Sequence, residues 1–126
     1  MNSKLLRKVT NLSRGLYNCP DSTKRHFSFL VVRNKVISTG WNKSFKTHPL
    51  AKKYNHRYSC THSELDCILN AEVPVSALGD YTMINVRLDS NKNLVMSKPC
   101  KCCQAMLQDF GITEVIYSTT NGFLKF

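Results

Sequence analysis

Two short stretches, far apart along the chain, carry residue types that have little use unless they meet. His62-Ser63-Glu64 reads H-x-E, and Pro99-Cys100-Lys101-Cys102-Cys103 reads P-C-x-x-C, with residues 65–98 between them. On a helix, Cys100 and Cys103 stand one above the other, because residues three apart share a face. Pro99 suits the first helical position, where its missing N–H costs nothing. The positive end of that helix favours the thiolate form that binds metal. Cys102, two residues from Cys100, points elsewhere. One imidazole and two thiolates are three ligands, the number that leaves zinc an open position for water. The pattern therefore nominates His62, Cys100 and Cys103 as ligands of a catalytic Zn2+, whose water would have its pKa lowered to about 7.

Glu64 has two readings. Thr61-His62-Ser63-Glu64 is a capping box, T-x-x-E, in which the glutamate only closes a helix start. A carboxylate beside a metal-activated water can instead take a proton and pass it to a leaving amine. The histidine two residues earlier and P-C-x-x-C downstream favour the catalytic role, and one side chain can serve both. H-x-E alone is weak, and C-x-x-C alone also fits redox or structural zinc sites. The two together, in this order and with the proline, are specific. A structural zinc module that binds nucleic acid is the competing class. It needs a fourth protein ligand, for which Cys60 is the candidate, and a closed site would hold no water.

At 126 residues the chain is read as one domain, 1–126. No window of 18 or more apolar residues exists, so no membrane span is expected. The start, Met1-Asn2-Ser3-Lys4-Leu5-Leu6-Arg7-Lys8, lacks the apolar run of a signal peptide. The six cysteines then fit a reducing cytoplasm better than disulfides, with Cys19, Cys60 and Cys67 read as free, partly buried thiols. The net charge of +10 is uneven. Residues 1–63 hold 13 Lys/Arg against one acid, +12, and residues 64–126 hold five against seven, −2. That asymmetry points to a phosphate-bearing partner, with a solvated basic surface as the plain alternative.

Leu5, Val9, Leu12 and Leu16 form the stripe of an amphipathic helix. His26–Val32 reads as a strand buried on both faces, and Val36–Trp41 as its hairpin partner across Arg33-Asn34-Lys35. Residues 42–60 form a long loop. Lys43, Lys46, Lys52, Lys53 and Arg57 alternate there with Phe45, Tyr54 and Tyr58, a mixture suited to phosphate pairing and base stacking or to a plain surface loop. Thr61–Glu72 is a second helix with Leu65, Ile68 and Leu69 inward, stopped by Pro74. Tyr81–Leu88 alternates as a strand, with Thr82, Ile84, Val86 and Leu88 on one side. Pro99–Phe110 is the third helix, with Cys103, Met106, Leu107 and Phe110 on one stripe and Gly111 as its cap. Glu114–Tyr117 is a strand, and Asn121-Gly122 turns the chain back antiparallel. The order predicts an α/β fold, a single mixed β-sheet of about five strands with helices packed on it.

With these residues in view, the chain resembles the zinc-dependent cytidine/deoxycytidylate deaminase superfamily from about His26 to about Tyr117. The resemblance implies a cytidine deaminase-like α/β/α sandwich. It implies His62, Cys100 and Cys103 as zinc ligands and Glu64 as proton shuttle. Gly40-Trp41-Asn42 is similar to the family's G-x-N, which implies that Asn42 touches the sugar of the target nucleotide; loop capping is the other use of such an asparagine. Lys43 and Lys46 follow it as candidate phosphate contacts. Ser63 departs from the usual alanine, and Asp66 from the asparagine of nucleotide-type members. The short C-terminal hairpin resembles the free-nucleoside branch.

The function implied is hydrolytic deamination of cytosine to uracil, with zinc-bound hydroxide attacking C4 and Glu64 moving the proton. The expected substrate is a free cytosine nucleotide. The alternative is a base in single-stranded DNA or RNA or in transfer RNA. A homo-oligomer and a cytoplasmic location are also expected.

Overall fold

The computed structural model describes residues 2–18, 25–44, 60–71, 81–112 and 114–125. Three helices and eight strands are described. In chain order they are α1 (Ser3–Gly15), β1 (His26–Val32), β2 (Lys35–Trp41), β3 (Lys43–Ser44), β4 (Cys60–Thr61), α2 (Ser63–Asn70), β5 (Thr82–Leu88), β6 (Leu94–Val95), α3 (Lys101–Asp109), β7 (Glu114–Thr119) and β8 (Gly122–Lys125). The main sheet has six strands in the order β2-β1-β5-β7-β8, with β6 pairing with β5. Only the β5–β7 pair is parallel, and α3 lies between those strands in the chain. The sheet is thus mixed, as expected, with one strand more than expected.

Helices cover both faces. Phe27, Phe29 and Val31 of β1 join Ile84, Val86 and Leu88 of β5 and Val9 of α1 in one cluster. Leu30 and Met83 point the other way, against Leu65 and Ile68 of α2 and Met106 and Leu107 of α3. β5 was expected to bury one side, yet Met83 and Asn85 are as buried as Ile84 and Val86. It is a central strand covered twice, so alternation disappears.

Local chemistry sets the element ends. Asn2 caps α1, its Oδ1 accepting from Leu5 N at 3.1 Å. Arg33 and Asn34 take φ of 50° and 64°, the left-handed pair of a two-residue hairpin turn. α3 closes with Gly111 at φ 78°, while Ile112 N donates to Leu107 O and Gly111 N to Gln108 O, a Schellman ending. In the last hairpin Thr119 pairs with Gly122, so the turn is Thr120-Asn121 and the positive φ, 119°, falls on Gly122.

Several expectations are corrected. Leu12 is 38% exposed; the buried side of α1 uses Thr10 and Ser13, whose hydroxyls donate to Leu6 O and Val9 O at 2.8 Å each. Those internal bonds let polar residues face the sheet without loss. Leu69 is 43% exposed, because Asn70 and Leu69 turn outward where α2 ends at Ala71. Pro74 lies outside the described residues. The ends of the expected 42–60 loop pair instead, Lys43 with Thr61 and Ser44 with Cys60.

Gly40 fixes how closely α2 approaches β2. A Cβ there would lie 2.6 Å from Ser63 O and 2.7 Å from Cys67 Cα, both backbone atoms of α2. Ser38 Oγ, also on β2, donates to Cys67 O at 2.6 Å and holds the same contact. Gly40→Ala is expected to lower unfolding stability by about 1–3 kcal/mol in denaturant titration, because a helix backbone cannot yield as a side chain would. Gly15→Ala, with no atom within 4 Å of the added Cβ, is expected to be neutral or to stabilise by up to about 1 kcal/mol.

Candidate active site

Both motif stretches open helices, but two residues later than the sequence suggests, at Ser63 and Lys101 rather than Thr61 and Pro99. His62 is itself the N-cap of α2, and its side chain makes no capping bond. Thr61 belongs to β4, and its side chain, on which the expected capping box rests, lies outside the described residues. Cys100 is the N-cap of α3, which puts Pro99 before the helix rather than in its first turn. The Cys100 Sγ accepts from Cys103 N at 3.4 Å, taking the place of a capping oxygen.

The two N-termini converge. One ligand atom each from His62, Cys100 and Cys103 lies within 4.8 Å of the others. His62 Nδ1 is 3.3 Å from Cys103 Sγ and 3.7 Å from Cys100 Sγ. Ligands about 2.0–2.3 Å from a tetrahedral zinc stand roughly 3.6 Å apart, so this nitrogen and these sulfurs fit that ion. A hydrogen bond from the Cys103 thiol holds Cys100 at a pKa of about 3, with His62 adding to the effect. The same bond and burial push Cys103 upward, so the pair shares one proton and Cys100 carries the charge. Cys67, buried in the core, is pushed up to about 12 by desolvation and stays a thiol. Of Cys60, the alternative fourth ligand, only the backbone is described.

Glu64 lies in the first turn of α2 and is 2% exposed. Its Oε1 accepts from Ser63 Oγ at 3.0 Å and its Oε2 from Asn85 Nδ2 at 3.1 Å. Ser28 Oγ is 2.8 Å from Ser63 Oγ and donates to Asn85 Oδ1 at 2.7 Å. Asn85 Nδ2 also reaches Ser97 O at 3.2 Å. Ser28, Ser63 and Asn85 are fully buried. Asn85, Ser28 and Ser97 escaped the sequence reading. Its one signal was an asparagine inside the apolar run Met83-Ile84-Asn85-Val86.

A cavity of about 350 Å³ opens in front of the carboxylate, within the size range of small-molecule sites. His62, Glu64 and Cys100 line it together with His26, Asn42, Arg87 and Lys98. Burial lowers the His26 pKa, so its ring is neutral. His26 Nε2 and Asn42 Oδ1 are buried without a hydrogen bond among the described residues. The G-x-N stretch is built into this lining: Gly40 abuts α2, Trp41 N donates to Asp66 Oδ2 at 3.1 Å, and Asn42 lines the cavity. Asp66 thus ties β2 to α2. Lys46 lies outside the described residues, as does the side chain of Lys43. A larger concavity of about 840 Å³ runs along α1 past Lys4, Arg7 and Lys8, but it holds none of the metal-ligating residues.

Residues 1–119 match the family described as the cytidine and deoxycytidylate deaminase zinc-binding region. The chain belongs to this family. Its cofactor is zinc, and His62, Cys100 and Cys103 are placed to hold it. No curated protein sequence matches the chain. The fold is similar to that of solved deaminases. The crystal structure of dCMP deaminase from the cyanophage S-TIM5 in apo form aligns at a TM-score of 0.62 and 14% identity, covering 93% of this chain and 84% of that one. Its complex with dCMP and dUMP gives 0.62, 12%, 93% and 82%. Guanine deaminase from Bacillus subtilis gives 0.56 and 17%, covering 94% of this chain and 65% of that one. Among the described residues no helix is long and apolar enough to cross a membrane.

The purified deaminase is expected to hold one zinc per chain by metal analysis. Cys100→Ala and Cys103→Ala should lose it, and Cys102→Ala and Cys60→Ala should keep it. Zinc loss from Cys60→Ala would mean a closed, four-ligand site. Because Cys103 must give up its proton to bind metal, zinc uptake should release protons and weaken as the pH falls. Calorimetry in buffers of different ionisation enthalpy measures both.

Proposed function

We propose that the protein hydrolytically deaminates the cytosine ring of a small nucleotide to uracil, with Glu64 as the proton carrier. The observation that carries this reading is the Glu64 carboxylate lining the same cavity as His62 and Cys100 of the metal-ligating cluster. Zinc held by them supplies Lewis acidity, which brings the pKa of a water to about 7. Glu64 takes a proton from the attacking water on one carboxylate oxygen. It then delivers that proton to the departing amine, and ammonia leaves. Burial of Glu64 keeps competing water from the carboxylate.

The walls support a nucleotide over a free base. His26 Nε2 and Asn42 Oδ1 are buried polar atoms in want of partners, and a sugar hydroxyl can donate to one and accept from the other. Arg87 and Lys98 bring two positive charges to the same cavity, suited to one phosphate. The structural similarity to a dCMP deaminase solved with dCMP and dUMP points the same way. A second reading, cytosine in a single strand, draws on the +12 charge of residues 1–63 and on Arg25 and Lys92, which flank the Tyr17 ring at 4.8 and 5.3 Å next to His26.

Glu64→Gln should fold and keep zinc while turnover falls at least on the order of a hundredfold. Ammonia release from deoxycytidine, its monophosphate, guanine and single-stranded oligonucleotides identifies the substrate. Arg87→Ala and Lys98→Ala should each raise KM on the order of tenfold for the monophosphate and leave the nucleoside unaffected. Deaminated oligonucleotide with steep salt dependence, and no turnover of monophosphates, would establish the polynucleotide reading instead.

A further inference from the structure

We infer that Ser63, Ser28 and Asn85 are positioning residues that aim the Glu64 carboxylate at the metal-ligating cluster. The inference rests on Glu64 being the proton carrier. A carboxylate at the end of a flexible side chain rotates freely about its last bond, which is broad and roughly two-fold. Here both oxygens are taken, Oε1 by Ser63 Oγ and Oε2 by Asn85 Nδ2, so the plane of the carboxylate is set from both ends. Each oxygen keeps a further lone pair for the reaction.

The donors are themselves held. The Asn85 amide can be oriented only one way: Nδ2 faces the carboxylate and Ser97 O, and Oδ1 faces the Ser28 hydroxyl. Turned over, it would set an oxygen against the glutamate. Ser97 Oγ returns a bond to Asn85 O at 3.0 Å, and Ser97 N donates to Ser118 O on β7 at 2.9 Å. Ser97 stands three residues before Cys100. One Asn85 nitrogen therefore ties the carboxylate to the start of the cysteine helix, which fixes the distance between proton carrier and metal ligands. Ser63 does the same from the other side, since it is the residue between His62 and Glu64 and meets Ser28 of β1. With the Ser28 proton given to Asn85 and the Ser63 proton to Glu64, the 2.8 Å Ser28–Ser63 contact shares those two protons rather than adding a third bond, so the two serines orient together.

The test uses the zinc-loaded protein and the substrate that the screen above identifies. Ser63→Ala, Ser28→Ala and Asn85→Ala are each compared with wild type and in the Glu64→Gln background. Zinc content and melting temperature are measured first. The expected result is a fall in kcat on the order of tenfold for Ser63→Ala and Asn85→Ala, with KM and zinc content unchanged. In the Glu64→Gln background the same substitutions should cost nothing further, because they act only through that carboxylate. Ser63→Thr, which restores the hydroxyl, should recover turnover. Unchanged kcat in folded, zinc-loaded variants would overturn the inference, as would an equal loss in both backgrounds. Should one of the three variants fail to fold, the remaining two decide by the same criteria. Full activity in Glu64→Gln alone would instead overturn the reading of Glu64, and this inference with it.

Discussion

The site depends on two helix N-termini brought face to face, each begun by a residue that can ligate metal. His62 and Cys100 are the N-caps of α2 and α3, and Cys103 sits one turn into α3. An N-terminus presents unpaired N–H groups and a partial positive charge. That field suits a thiolate, and the Cys103 N–H bonded to Cys100 Sγ is its local expression. Two such ends would repel if left bare. Anionic sulfur between them turns the repulsion into attraction, and a zinc ion then completes the charge balance. The sheet makes the meeting possible: α2 lies down on β2 at Gly40, and α3 connects the parallel strands β5 and β7.

Much of this was legible in the sequence, because ligand chemistry is stated by residue type and spacing. The α/β class, β1, β2, the three helices and the terminal hairpin follow from periodicity and turn residues. What failed did so for identifiable reasons. The helix start at Thr61–Glu64 has the right letters, but Thr61 pairs with Lys43 in a short ladder and the N-cap falls one residue later, on His62. Leu12 fits the stripe of α1, yet the helix rolls so that Thr10 and Ser13 face β5, which their bonds to preceding carbonyls permit. β6 is two residues long and has no periodicity to read. Asn85 was the costliest omission, since an alternation rule treats a polar residue in a strand as solvent-facing. On the central strand of a sheet covered on both sides, neither face is solvent-facing.

The cavity separates two questions that the sequence had joined. Charge in residues 1–63 and the basic stretch after Asn42 both suggested phosphate recognition. Among the described residues, the cations that line the cavity are Arg87 and Lys98, from the second half. On the proposed reading, binding of one small nucleotide and attraction of a polyanion over a wider surface are told apart by their salt dependence.

The polar layer through the centre of the sheet argues for function over stability. Ser28, Asn85, Ser97 and Ser118 lie where Val or Leu would bury more apolar surface, and Ser63 and Glu64 face them from α2. Each buried polar group must find a partner or cost about 1–3 kcal/mol, and apolar replacements of like shape are often at least as stable. A chain under selection for the fold alone has no use for such a layer. Here its members bond to one another, to Glu64 and to the backbone just before Cys100. A network held at that many points is rigid and favours one geometry. On the proposed reading of Glu64, that geometry is the placement of a carboxylate relative to a metal-ligating triad, the quantity on which proton transfer would depend.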